Sequence, residues 1–237
     1  MIKKGATQLV FCHLPKSGGK TFADILSQQF DTKPVMYRPS EGGVLSKSNA
    51  QQIKDADVIW GHFCFWLVYP YLRKDRIIMT WMRDPLERNL SLYNYWTRVR
   101  GNIPIAKRIR KEHWTVQDFF ELVDSEKDPF LFANLSFLGL KGGGKLSFNE
   151  MVANAKEALD LQDFIGITET YSKDLKRLKK RFGFDVKIKK KRNVTPDWAK
   201  RTTITKEERI RWKQLLGWEY DVYHHAKHLA HGYEQVG

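Results

Sequence analysis

The chain has 237 residues, 42% hydrophobic and 29% charged, enough to bury a large core without disulfide or metal staples. Its 41 Lys and Arg against 27 Asp and Glu leave a formal charge of +14. That excess implies an anionic partner (nucleic acid, an acidic membrane surface, a phosphorylated cofactor or a polyanionic acceptor) or a solvated basic surface, and the longest apolar stretch, Phe63 to Tyr71 around Pro70, is too short for the ~20 residues of a membrane span.

A buried strand is predicted at Gln8 to Cys12, followed by a loop holding Pro15, Gly18 and Gly19 and a helix from about Lys20 to Phe30. A polar helix over Lys47 to Ala56 precedes a second strand at Asp57 to Trp60, and Arg76 to Met82 reads as a third. Such near-continuous apolar runs belong to parallel sheets covered on both faces. Pro85 opens a helix extending to about Val99. Thr115 is an expected N-cap, and Ser147 with Glu150 and Thr205 with Glu208 fit capping boxes. Asp163 to Ile167 is a further strand, and the helix after it, Tyr171 to Phe182, puts Tyr171, Leu175, Leu178 and Phe182 on one face before Gly183 stops it. Strands alternating with helices predict an α/β fold, a P-loop-containing three-layer sandwich with a central parallel sheet flanked by helices. Residues 1–237 are expected to form one domain, since no linker or repeat divides them. Cys12 and Cys64, both in apolar runs, are expected as reduced, buried thiols.

The stretch HLPKSGGKTF, His13 to Phe22, joins the first strand to its helix. Gly18 and Gly19 let backbone N–H groups converge on an anion, the helix N-terminus adds its dipole, and Lys16, Lys20 and Thr21 complete a phosphate cage. The run Gly19-Lys20-Thr21 matches the end of a kinase P-loop, but that pattern requires glycine where Leu14 stands. A small-molecule or sugar kinase using Mg-ATP is therefore an alternative, with Asp84 as the nearest metal ligand. A basic nucleic-acid-binding module is a second alternative, without a recognised motif.

HLPKSGGKTF resembles the 5′-phosphosulfate loop of the heparan sulfate 2-O- and 6-O-sulfotransferases, which are PAPS-dependent carbohydrate sulfotransferases. The segment MRDPLERNLSLY, Met82 to Tyr93, resembles their second signature, and FIGITETY (164–171), LKRL (175–178) and RNVTP (192–196) follow in the order of the 6-O branch. The resemblance implies a sulfotransferase that moves the sulfuryl group of 3′-phosphoadenosine 5′-phosphosulfate (PAPS) to a hydroxyl acceptor, a carbohydrate that can itself be anionic, with PAP as product and no metal. It assigns cofactor binding to Lys16, Ser17, Gly18, Gly19, Lys20, Thr21, Phe22, Arg83, Ser91, Arg192 and Thr195, with Arg83 and Ser91 on the 3′-phosphate. Lys16 doubles as a catalytic cation on the leaving group. His62, in WGHF (60–63), matches the Gly-His of the 2-O branch and is the expected base; the setting of the catalytic histidine in the 6-O branch is absent.

Other readings are blander. His13 is expected to brace the loop and Glu169 to complement a helix start, while His224, His228 and His231 fit a solvated helix. Arg98, Arg100, Lys107, Arg108, Arg110 and Lys111, interleaved with Trp96 and Trp114, fit an acceptor groove and a solvated face equally well. The expected compartment is the cytoplasm for a complete chain and the Golgi lumen for one trimmed from a longer protein.

Overall fold

A computed structural model describes residues 7–30, 36–37, 47–99, 103–126, 132–142, 145–186 and 204–235. The strands are β1 (Gln8–Cys12), β2 (Met36–Tyr37), β3 (Val58–Gly61), β4 (Arg76–Met82) and β5 (Phe164–Ile167). They form one sheet in the order β2-β3-β1-β4-β5, with every pair parallel. β1 is central: Val10 pairs with Ile59 on one side and Ile78 on the other. The helices are α1 (Gly19–Leu26), α2 (Lys47–Asp55), α3 (Phe65–Val68), α4 (Pro85–Trp96), α5 (Pro104–Lys111), α6 (Val116–Glu126), α7 (Phe148–Asp160), α8 (Tyr171–Phe182), α9 (Lys206–Leu215) and α10 (Gly217–Gln235).

The period-two alternation of strand side chains divides the core between the two faces of the sheet. Leu9, Phe11, Val58, Met79, Trp81 and Phe164 pack with Phe22, Ile25 and Leu26 of α1 and Leu175 and Leu178 of α8. Val10, Cys12, Ile59, Ile78, Met82 and Ile165 face the larger cluster built from α2 to α7 with α9 and α10. Helices therefore cover both faces, giving the three layers that the apolar runs predict. Gln8 is fully buried, yet its amide is satisfied: Nε2 donates to the carbonyls of Ile53 and Ala56 at 2.7 and 2.9 Å, and Oε1 accepts from Arg73 N at 3.0 Å. This polar residue closes the end of α2 onto the central strand.

β1 and β4 occupy the predicted runs, and both capping boxes form. Two helix ends differ from expectation because polar side chains take their last carbonyls. In α1, Ser27 and Gln28 donate to Asp24 O and Gln29 to Ile25 O, so the chain tightens into a 3₁₀ turn at Ser27–Gln29. In α4, Thr97 and Arg98 both donate to Asn94 O, and the helix stops at Trp96 rather than Val99. Both thiols are free, but Cys64 is only half-buried; desolvation raises its pKa and, more strongly, that of Cys12. Among the described residues no helix is long and apolar enough to cross a membrane.

Candidate active site

The parallel sheet delivers its loops to one edge. β1 leads into His13 and the phosphate loop, β3 into His62, β4 into Arg83 and Asp84, and β5 into Thr168 and Glu169. β1 lies between β3 and β4, so the chain leaves the sheet on both sides of the loop; ligands of open α/β sheets bind at such a point.

The loop is shaped by left-handed backbone at Lys16 (φ 66°) and Gly18 (φ 79°). Gly18 precedes α1, whose N-terminus receives no side-chain cap, and the buried Ser17 Oγ has no hydrogen-bond partner among the described residues. Uncapped helix N–H groups beside an orphaned buried hydroxyl fit an anionic oxygen. Two contacts brace the loop from neighbouring strands. Arg83 Nη1 donates to Lys16 O at 3.1 Å. The Thr168 hydroxyl lies 2.8 Å from Met82 O and 3.3 Å from Ser17 O, joining the end of β4 to the loop.

His13 determines why glycine stands at position 19. A Cβ there would lie 1.9 Å from His13 Cδ2 and 2.0 Å from Nε2. The His13 ring cannot yield cheaply, because it stacks on Phe11 (centroids 5.4 Å apart) and packs against His62 (4.3 Å). Gly19→Ala should therefore cost about 1–3 kcal/mol of stability through overpacking and weaken PAP binding. Adding His13→Ala to Gly19→Ala should restore much of the stability in a denaturant melt; no recovery would show that the clash lies elsewhere.

His62 is half-buried, with Nδ1 2.7 Å from His13 O. A carbonyl only accepts, so Nδ1 carries hydrogen and, in the neutral ring, Nε2 keeps its lone pair. The ring also faces Phe137, at 6.0 Å, from the π-helical turn Leu135–Gly139.

The structure brings Lys16, Ser17, Gly18, Gly19 and Arg83 together, with Thr21 half-buried in the first turn of α1 and Ser91 half-buried on α4. Lys20 lies in the first turn of α1. Phe22 differs from expectation: its side chain is fully buried, edge-on to Phe11 at 4.7 Å, so only its backbone is left to a ligand. Arg192 and Thr195 lie outside the described residues. The Lys16 ammonium sits over the Tyr95 ring, 4.4 Å from its centroid.

Asp84, through Oδ1, and Glu169, through both carboxylate oxygens, brace the site. Asp84 Oδ1 accepts from Glu87 N at 3.0 Å, capping α4, and from the Tyr220 hydroxyl at 2.9 Å. Glu169 accepts from Asp84 N at 3.0 Å and from the Tyr223 hydroxyl at 3.0 Å. Glu169 therefore ties β4 to α10, a role beyond the helix-start carboxylate expected of it. Burial beside these carboxylates raises the pKa of both tyrosines.

A buried charge pair lies behind the site, and nothing local in the sequence signals it. Arg88 of α4 and Glu219 of α10 are both fully buried. Glu219 accepts from the N–H groups of Asn134 and Leu135 at 3.1 and 2.9 Å, at the start of the turn that carries Phe137. Desolvation pushes Glu219 up to about 7 against the opposing pull of Arg88, and lowers Arg88 to about 10.

Of the residues that fit an acceptor groove and a solvated face equally well, Arg100 lies outside the described residues, and Trp96 does not offer its ring to a ligand. Trp96 is buried, edge-on to Phe119, and Arg110 donates to its carbonyl. Arg108 covers Trp114 at 4.7 Å and pairs with Glu112. His224, His228 and His231 are exposed along α10.

Fold and loop together define an α/β protein of the phosphate-loop type. The chain belongs to the sulfotransferase family, whose sequence profile matches residues 1–223. It is accordingly an enzyme of PAPS-dependent sulfuryl transfer to a hydroxyl-bearing acceptor. Among solved structures, mouse sulfotransferase SULT7A1 complexed with PAP is similar in fold, with a TM-score of 0.54 and 16% identity, covering 97% of this chain and 91% of that one. No curated protein sequence matches the chain.

Proposed function

We propose that this single domain transfers the sulfuryl group of PAPS to a carbohydrate hydroxyl, with His62 as the base. The observation that carries the reading is the uncapped start of α1 beside the orphaned Ser17 hydroxyl, with Arg83 fixed to the same loop. The PAP bound in the mouse sulfotransferase and the family membership supply the nucleotide. The resemblance to the heparan sulfate enzymes supports a carbohydrate acceptor.

PAPS supplies an activated sulfuryl group: an acceptor–sulfur bond forms as the sulfur–oxygen bond to PAP breaks. The residues of this chain do the rest. Lys16, Ser17 and the start of α1 hold the 5′ end and stabilise charge as it grows on the leaving oxygen. Arg83 and Ser91 hold the 3′-phosphate; the arginine fork suits a phosphate, and the serine adds a hydrogen bond. His62 Nε2 takes the acceptor proton, its tautomer set by the His13 carbonyl. Positioning and charge account for most of the acceleration.

Arg83→Ala tests the assignment of the two ends. It should weaken PAP by about tenfold or more while changing AMP, which lacks the 3′-phosphate, much less. Equal losses for both nucleotides by calorimetry would refute the 3′-phosphate role and leave Arg83 as a brace for Lys16 O.

A further inference from the structure

Lys16 is one of two non-glycine residues with positive φ among those described, a conformation disfavoured for any residue with a Cβ. Such a residue persists where its surroundings hold it. Here both ends of Lys16 are engaged: its carbonyl accepts from Arg83 Nη1, and its ammonium lies 4.4 Å over the Tyr95 ring. Tyr95 is 39% exposed, on the same α4 face as Ser91 one turn earlier. An aromatic side chain this exposed contributes little to the core, so its contact with the loop lysine calls for another explanation.

We propose that Tyr95 is a positioning residue for sulfuryl transfer: its ring face holds the Lys16 ammonium on the α4 side of the phosphate loop, directed to the leaving oxygen. The Lys16 side chain reaches α4, where the ring face attracts the ammonium through its π-system rather than through an oxygen acceptor. α4 thus serves both ends of the nucleotide, through Ser91 and through Tyr95. This inference rests on the sulfotransferase reading of the loop.

The test uses PAPS itself, with water as acceptor, so no acceptor need be known. PAP release from saturating PAPS is followed beside PAP titration for wild type, Tyr95→Phe, Tyr95→Ala, Lys16→Ala and the Lys16→Ala/Tyr95→Ala double variant. Tyr95→Ala should slow release about three- to thirtyfold with PAP affinity changed less than about twofold, and Tyr95→Phe should keep the wild-type rate. In the Lys16→Ala background, Tyr95→Ala should add nothing. A Tyr95→Ala loss that persists undiminished without Lys16, a Tyr95→Phe loss as large as that of alanine, or an unchanged rate in Tyr95→Ala would each overturn the proposal. Wild-type protein that binds no PAP would instead overturn the reading of the site, a result visible before any variant is compared.

Discussion

Replacing His62 with alanine should lower sulfuryl transfer by about 10²–10⁴-fold while leaving PAP affinity within about twofold. The expected split follows from where His62 sits. It extends from the end of β3, outside the phosphate loop, and its Nδ1 is hydrogen-bonded to the carbonyl of His13. That bond fixes the proton on Nδ1 and, in the neutral ring, leaves the lone pair on Nε2, the atom proposed to take the acceptor proton. In the proposed mechanism, loss of the imidazole removes the base but keeps the uncapped helix start, Lys16 and Arg83. The measurement pairs single-turnover transfer, to an acceptor found by screening hydroxyl compounds, with PAP calorimetry. A large fall in PAP affinity would make His62 a brace for His13 and the loop; an unchanged rate would pass the role of base to another group.

Glu219→Ala should destabilise the protein by about 2–5 kcal/mol, because it empties a fully buried position beside Arg88. It also removes the acceptor for the N–H groups of Asn134 and Leu135, so the turn carrying Phe137 toward His62 loses its anchor. Glu219→Gln should cost less, since the amide oxygen still accepts from those N–H groups. The pH dependence has a definite sign. Burial raises Glu219 from 4.5 to about 7, so its contribution to stability is full below about pH 4.5 and is lost as the pH rises through about 7. Glu219→Gln should flatten this part of the profile. Denaturant melts from pH 4.5 to 8 check both claims; a loss below about 1 kcal/mol for Glu219→Ala would mean that water reaches Arg88.

Much of the fold was readable because its signals are local. The apolar runs at Gln8 to Cys12 and Arg76 to Met82 became β1 and β4, and Ser147 with Glu150 and Thr205 with Glu208 closed their boxes within one turn. Strand order was not readable, since parallel pairing joins residues distant in sequence, as in the match of Leu9 to Val58. In the site, the glycines and Lys16 announced the loop by type and spacing. The supports did not announce themselves: Arg88 and Glu219 look like ordinary surface charges until α4 and α10 pack, and Tyr95 looks like one more aromatic residue of α4. Trp96 misled for the same reason, because an aromatic residue among arginines reads as a binding surface until Phe119 covers it. Asp84 read as a metal ligand for the kinase alternative, while the fold uses it to cap α4 and to receive Tyr220.

The most direct test of the central claim is calorimetric titration of the purified protein with PAP, and separately with ATP plus Mg²⁺. Tight, metal-independent binding of PAP with little response to ATP is the result expected from Arg83 and Ser91 holding a 3′-phosphate that ATP lacks. Preference for Mg²⁺–ATP over PAP would contradict the account and return the loop at Lys16 to Thr21 to the chemistry of phosphoryl transfer.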